Sequence, residues 1–204
     1  FLIVEGMDNN ADGVVNLRDL VCEGSGFLDG FDADGNGYTD DIIGWDASGY
    51  YANSPADPDP YPREGATPTG TWAHGTHVAG ILAATTDNGV GISSTSYNAK
   101  IISVKVSRGS QPSEPGISDG YAGITYAAKA GYYSGTLAII NNSWGGGSYN
   151  FSEHTVIQNA HDNYGAVVLS SAGNGDTAQG EYSKEYPAAY DNVLSVCAIG
   201  CSGA

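Results

Sequence analysis

The stretch that decides the fold class is LAIINNSWGGGSYNFSEHTVIQNAHDNYGAVVLSSAGN, Leu137 to Asn174. It opens on an apolar run, Leu137–Trp144, that reads as a strand and ends in Gly145-Gly146-Gly147. Glu153–Tyr164 then reads as a helix closed by Gly165, and Ala166–Asn174 reads as a second apolar strand. Near-continuous apolar strands separated by a helix imply a parallel sheet covered on both faces. The same grammar continues outward. His74–Thr86 is a helix, Lys100–Ser107 a strand, and Ile117–Ala130 a helix with Asp119 in its first turn and Gly131 as its stop. Val193–Gly200 is a further strand. Sheets of this kind collect chemistry at the carboxyl ends of their strands. Those ends are Asn141–Gly145 and Ser171–Asn174.

Upstream of residue 71 the pattern is different. Phe1–Glu5 reads as a short buried strand, followed by two loops dense in Asp, Asn and Gly. Ser54–Pro62, SPADPDPYP, is a connection that its prolines keep from being helix or central strand. The 204 residues are enough for one substantial domain with its own core, and 41% of them are apolar. No run approaches the roughly 18 apolar residues of a membrane span. The absence of an initiating Met and of a signal-peptide pattern leads to the expectation of a processed chain or a fragment.

Seven Lys and Arg against 23 Asp and Glu give a net charge of −16. Such a surface repels nucleic acid and anionic membrane. It suits calcium binding and a salty or extracellular medium. Three cysteines, Cys22, Cys197 and Cys201, leave at least one unpaired within the chain. On one extended strand, Cys197 and Cys201 would stand about 13 Å apart, too far for a disulfide. Cys22 could pair with either.

The candidate chemistry begins at TWAHGTHVAGILAATTDNG, Thr71–Gly89. His74 sits at the front of a helix, where the positive end of the dipole disfavours an imidazolium. That position suits a neutral imidazole acting as general base at the mouth of a cleft. His77 is expected to pack behind it, and Ala73, Thr76, Ala79 and Gly80 to let the helix sit close on the sheet. In SSAGN, Ser170–Asn174, the Asn174 carboxamide stands where it can donate to an oxyanion, although Asn174-Gly175 is also an ordinary turn signal. In NNSWGGG, Asn141–Gly147, a strand edge followed by glycines can pair with an extended peptide or simply turn.

Together these segments resemble the subtilisin-like serine proteases, or subtilases. HGTHVAG (His74–Gly80) is nearly that family's histidine signature. NNSWGGG resembles its substrate-binding strand, SAGN its oxyanion segment, and YPAAYDNVLSVCAIG (Tyr186–Gly200) its following strand. DADGNGYTDDIIGWD (Asp32–Asp46) resembles an acidic insertion of bacterial members. The resemblance runs over about residues 27–200. It implies a three-layer α/β fold, a mainly parallel twisted sheet with helices on both faces. It also implies His74 as general base, Asn174 as oxyanion donor, and Ser143, Trp144 and Gly145 as one wall of the primary specificity pocket. Peptide hydrolysis by a Ser-His-Asp triad on a polypeptide substrate is the implied reaction.

Two triad members depart from the pattern. No Gly-Thr-Ser-Met-Ala segment occurs in the 204 residues. The expectation is a chain that ends before its nucleophile, is inactive alone, and is completed by a C-terminal fragment carrying the serine. The acid is open among Glu5, Asp8 and Asp12, of which Asp8 is chosen for its chemistry and place. Asp8 has a rival role, since Asp8, Asn10, Asp12, Gly13, Asn16 and Asp19 match a calcium loop of EF-hand type. A second loop offers Asp32, Asp34, Asn36, the Tyr38 carbonyl and Asp40 as calcium ligands at spacings of two. Asn141 and Asn150 each begin a glycosylation sequon, and His154 and His161 are expected to face solvent. The reading is a secreted, calcium-stabilised endopeptidase of this family. Its alternative is a non-catalytic extracellular domain of the same descent that acts as a structural or self-assembling subunit.

Overall fold

The computed structural model describes residues 6–62, 70–110, 116–174 and 184–199. The expected strand Phe1–Glu5 and Cys201 lie outside them. The chain forms two compact units, Phe1–Gly123 and Ile124–Ala204.

In the first unit, strand β1 (Gly44–Asp46) pairs in parallel with β2 (Ser103–Lys105). The register sets Gly44 beside Ser103, and a methyl on Gly44 would stand 2.0 Å from the Ser103 carbonyl oxygen. Only glycine tolerates that approach. At the other end Asp46 lies beside Lys105, and the two form an ion pair whose side chains are almost wholly buried. A buried carboxylate needs more than its counter-charge. Asp46 Oδ1 also accepts the Ser48 and Gly49 amides at 2.9 and 3.0 Å. The Asp46 and Asp57 backbones exchange hydrogen bonds of 2.8 and 3.1 Å. Burial pushes the Asp57 carboxyl above its usual range, against the Asp59 amide, and the Asp46 charge adds to the rise.

The amino-terminal loop is organised by one carboxylate. Asp19 lies in a 3-10 helix, Leu17–Leu20, and is buried. Its Oδ2 accepts the Asn16 amide at 2.8 Å, and its Oδ1 accepts the Asn9 and Asn10 amides at 2.8 and 3.2 Å. Asn16 caps the helix in return, accepting the Arg18 amide at 2.8 Å. The Asn16 bond lowers the Asp19 pKa, burial opposes it, and the Asn10 and Asn9 bonds lower it further. Cys22 is half-buried, with Sγ 3.4 Å from the Asp19 carbonyl oxygen, and is not in a disulfide.

Helix α1 (His74–Ala83) buries none of its residues. Ile81 and Leu82 are exposed, and so is His77, contrary to the expectation that it packs behind a site. Among the described residues, a methyl on Gly80 would meet nothing within 4 Å, so the small residue there is not matched by a close approach.

The second unit holds a three-stranded parallel sheet in the order β3 (Ile139–Asn142), β4 (Val167–Ser171), β5 (Val193–Val196). The strands are shorter than their apolar runs. Helix α2 (Gly120–Tyr133) runs on past Gly131, the residue expected to stop it. Gly131 serves close packing instead, since a methyl there would meet Ala138 Cβ at 2.6 Å. The turn comes at Gly135, with φ +72°. Helix α3 (Phe151–Asp162) starts two residues earlier than expected because Asn150 caps it, accepting the Ser152 and Glu153 amides at 2.9 and 3.4 Å.

Alternation along β3 is clean. Ile140 and Asn142 are buried, while Ile139 and Asn141 are exposed. Val168 and Ser170 continue the buried set, with Ile157 and Ala160 of α3 in the same core. On the opposite face Ile139, Leu194 and Val196 are exposed. His154 does not face solvent as expected. Its ring stacks on Tyr190 at 5.1 Å and 9°, and Nδ1 lies 3.2 Å from the Tyr149 hydroxyl.

The Asp19 bonds carry a pH signature. A carboxylate with a lowered folded pKa contributes stability above its unfolded value near 4, and that contribution is lost as pH falls through the folded value. Asp19→Asn is expected to lower Tm at pH 7. Wild type and variant should converge as pH drops below about 4, measured by thermal melts across pH 2.5–7; equal melting at pH 7 would refute the role.

Candidate functional site

The carboxyl ends of β3 and β4 lie side by side, since Asn142 is in register with Ser170. Both side chains are buried. Asn142 Nδ2 donates to the Leu169 carbonyl at 3.1 Å. Ser170 Oγ lies 3.3 Å from both the Asn142 and Trp144 carbonyl oxygens and donates its proton to that pair. The backbone beyond β3 is thereby pinned beside β4, and Asn141 Nδ2 adds a 2.9 Å bond to Ser143 Oγ. Ser143 and Trp144 are half-buried, and Gly145 is exposed.

Strand β4 ends at Ser171. The Ala172 amide donates to the Val196 carbonyl at 2.8 Å, and the Gly173 amide to Ser171 Oγ at 3.2 Å. Gly173 turns the chain with φ +97°, a conformation other residues resist. Asn174 follows directly and is exposed. A carboxamide donor and a glycine-edged run of backbone therefore sit at neighbouring strand ends. This arrangement can receive an extended peptide and stabilise negative charge on one of its carbonyls.

A third segment closes on these two. Gly146 and Tyr186 form an antiparallel bridge, with Gly146 N–H donating to Tyr186 O at 3.0 Å and Tyr186 N–H to Gly146 O at 3.3 Å. The bridge brings the Glu185 carboxylate over both glycines. A methyl on Gly173 would meet Glu185 Oε2 at 2.8 Å, and one on Gly145 would meet the same oxygen at 3.1 Å. Neither Ser170 nor Glu185 was singled out from sequence. Ser170 reads as one more small strand residue. Glu185 stands one position before the recognised segment, with no pattern around it that marks a role.

The remaining candidates lie in the first unit. His74 is the first residue of α1, after the 3-10 turn Gly70–Ala73, and its ring is exposed. Asp8 is turned into its own loop, where its oxygens accept the Asp12 and Gly13 amides at 3.1 and 3.0 Å. In the second acidic loop, Asp32 accepts the Gly35 and Gly37 amides at 2.9 and 2.8 Å. Asn36 is buried and points its amide nitrogen at Asp34 and Asp41, at 3.1 and 2.9 Å. Partial burial raises the Asp34 pKa against the Asn36 amide, and the charges of Asp41 and Asp32 push it further. The carboxylate oxygens of this loop are of the ligand type that calcium takes, while Asn36 turns its nitrogen rather than its oxygen towards them. Asp40, however, accepts the Asp29 amide at 3.0 Å. Among the described residues no three acidic, His or Cys side chains converge on one point.

The sequence profile of the subtilase family matches residues 29–203. The chain belongs to the subtilase family. His74, Ser143, Trp144, Gly145, Asn174 and Glu185 fall inside the matched stretch, and Asp8 falls outside it. Among relatives, the extracellular basic protease of Dichelobacter nodosus is 33% identical over 165 residues, 78% of this chain and 24% of that protein. Thermitase of Thermoactinomyces vulgaris is 38% identical over 131 residues, 64% of this chain and 42% of that protein. Among solved structures, sphericase superposes with a TM-score of 0.56 at 27% identity, covering 76% of this chain and 46% of that one. The subtilase chain thus spans less than half the length of each of these relatives.

Proposed function

We propose that this subtilase chain forms part of a secreted serine endopeptidase acting on polypeptides. The observation that carries the proposal is that Ser143–Gly145 and Asn174 follow the carboxyl ends of the adjacent parallel strands β3 and β4, inside the stretch that matches the family. A substrate strand lies along Ser143, Trp144 and Gly145, which line the primary pocket. His74 takes the proton of an attacking serine hydroxyl and later delivers it to the leaving amine. Asn174 donates to the oxyanion of the tetrahedral intermediate. The serine comes from residues outside these 204, in a continuous chain or as a separate C-terminal fragment. Asp8, whose oxygens accept the Asp12 and Gly13 amides and keep lone pairs to spare, is the proposed acid that orients the His74 ring. Secretion is supported by relatives named as extracellular proteases, in Dichelobacter nodosus and Xanthomonas campestris, and by the net charge of −16.

Calcium is the proposed stabiliser of the second acidic loop, with Asp32, Asp34, Asn36, the Tyr38 carbonyl and Asp40 as ligands. When bound, the cation neutralises carboxylates that otherwise repel one another. Asp40 would have to release the Asp29 amide, and the Asn36 amide would have to present its oxygen.

Two measurements check this function. The protein carrying its serine-bearing segment should react with a fluorophosphonate probe. Asn174→Ala should reduce kcat by about 10²–10³, the loss seen when a subtilisin loses its oxyanion amide, and His74→Ala should abolish labelling. Failure of the wild type to label favours the non-catalytic alternative. For the metal, millimolar calcium should raise Tm, and Asp34→Asn should raise Tm without calcium while blunting the calcium response. The sign follows from Asp34, whose raised pKa marks a cost of ionisation present at neutral pH. An unchanged Tm on adding calcium refutes the metal.

A further inference from the structure

We propose that Lys105 and Asp46 are a self-modification site, at which Lys105 Nζ forms an amide with Asp46 Cγ and one water is expelled. The bond staples β1 to β2 across 59 positions of chain. It lies wholly in the first unit and does not depend on the proteolytic reading.

Three observations support it. First, nucleophile and carboxyl are already held together. Asp46 and Lys105 are partners in the parallel register, and Nζ is in direct contact with Oδ2. Their side chains are only 6% and 9% exposed. Fixed contact of this kind replaces the collision that makes amide formation between free amine and carboxylate slow, and burial keeps out the water that would favour hydrolysis. Second, the other carboxyl oxygen sits in a cradle of donors. Oδ1 accepts the Ser48 and Gly49 amides at 2.9 and 3.0 Å. Two backbone N–H groups on one oxygen are what an oxyanion needs when attack at Cγ makes the carbon tetrahedral. Third, a second acid stands beside the pair. Asp57 is bridged to Asp46 through the backbone, by hydrogen bonds of 2.8 and 3.1 Å. Its carboxyl is held above its usual range, first by burial. The Asp59 amide opposes that rise, the Asp46 charge adds to it, and the Lys105 charge pulls it down, so Asp57 feels both members of the pair.

The step balances within these three side chains. A proton first crosses the contact from Nζ to Oδ2, leaving an amine and a carboxylic acid, and burial lowers the cost of losing both charges. The Nζ lone pair then attacks Cγ, and the C=O electron pair moves onto Oδ1 between the Ser48 and Gly49 amides. Protonated Asp57 gives its proton to the Oδ2 hydroxyl, the C–Oδ2 bond breaks, and water leaves as the C=O bond re-forms. The extra proton on Nζ passes back to Asp57, which ends as it began. Nothing is oxidised or reduced, and no co-reactant is required.

The test is the intact mass of the full chain, denatured so that an ion pair separates and an amide does not, followed by tryptic mapping. The expected result is a mass below that of the sequence by one water. Mapping should give one branched peptide, uncut at Lys105 and joined there to the peptide that holds Asp46. Lys105→Arg keeps the ion pair but places a permanently protonated group at the site, so this variant should show the full sequence mass. Asp57→Ala should slow linkage by roughly a hundredfold or more. A full sequence mass in the wild type overturns the bond without need of any variant. A water loss that maps to cyclisation at an Asp–Gly pair, such as Asp12–Gly13 or Asp34–Gly35, overturns it as well, and so does a water loss that persists in Lys105→Arg. A branched peptide that forms as fast in Asp57→Ala upholds the bond and overturns the part given to Asp57.

Discussion

The candidate site depends on one buried hydroxyl. Ser170 lies in the middle of the sheet of the second unit, where an apolar side chain would pack more cheaply. Its proton goes to the carbonyls of Asn142 and Trp144, which β3 can no longer pair once it leaves the ladder. A strand end left without such a partner would fray into solvent. Pinned as it is, Ser143–Gly145 stays parallel to the exit of β4, and the Gly146–Tyr186 bridge has a firm edge to close upon. The positions of Asn174 and Glu185 are consequences of that tie. This is the usual logic of parallel sheets, which are rigid in the middle and open at the carboxyl ends.

The first unit solves a related problem with charge. Its two strands are three residues each and bury little, so an ion pair in register, Asp46 with Lys105, supplies the cross-strand contact that apolar side chains supply in the second unit. The pair is viable because backbone amides complete the carboxylate's shell. Asp19 organises the amino-terminal loop by the same device, with amides in place of a counter-charge. In a chain so rich in acids, backbone N–H groups are the cheapest source of positive potential.

Legibility in the sequence followed the range of the interactions. Among the described residues, β3, β4, β5 and the helices α1, α2 and α3 were visible as apolar runs, with a local stop or cap beside most of them. Their ends were misjudged where a tertiary contact overrode a local signal. Gly131 carries a stop signal yet packs on Ala138, and Asn150 pulled the start of α3 back to Phe151. His154 was misread because the ring it stacks on, Tyr190, is 36 residues away in the chain. For the site, the segments that hold His74, Asn174 and Ser143–Gly145 could be marked from motif alone, and they fall inside the stretch that matches the family. Glu185 was not, because its place over Gly145 and Gly173 comes from the Gly146–Tyr186 bridge, which leaves no periodic trace. Asp8 illustrates the reverse case. Its chemistry fits two roles, catalytic acid and calcium ligand, and its bonds to Asp12 and Gly13 are compatible with either.

The open face of the second sheet has a practical corollary for handling the polypeptide in solution. Ile139, Leu194 and Val196 form a greasy strip on a molecule that is otherwise strongly anionic. Mutual repulsion keeps such molecules dispersed in dilute buffer, where it reaches about 30 Å at 0.01 M ionic strength. Near 1 M salt that reach shrinks to about 3 Å, and strips on different molecules can meet. Purification by salting-out or hydrophobic chromatography therefore works against colloidal stability, whereas low-conductivity anion exchange works with it.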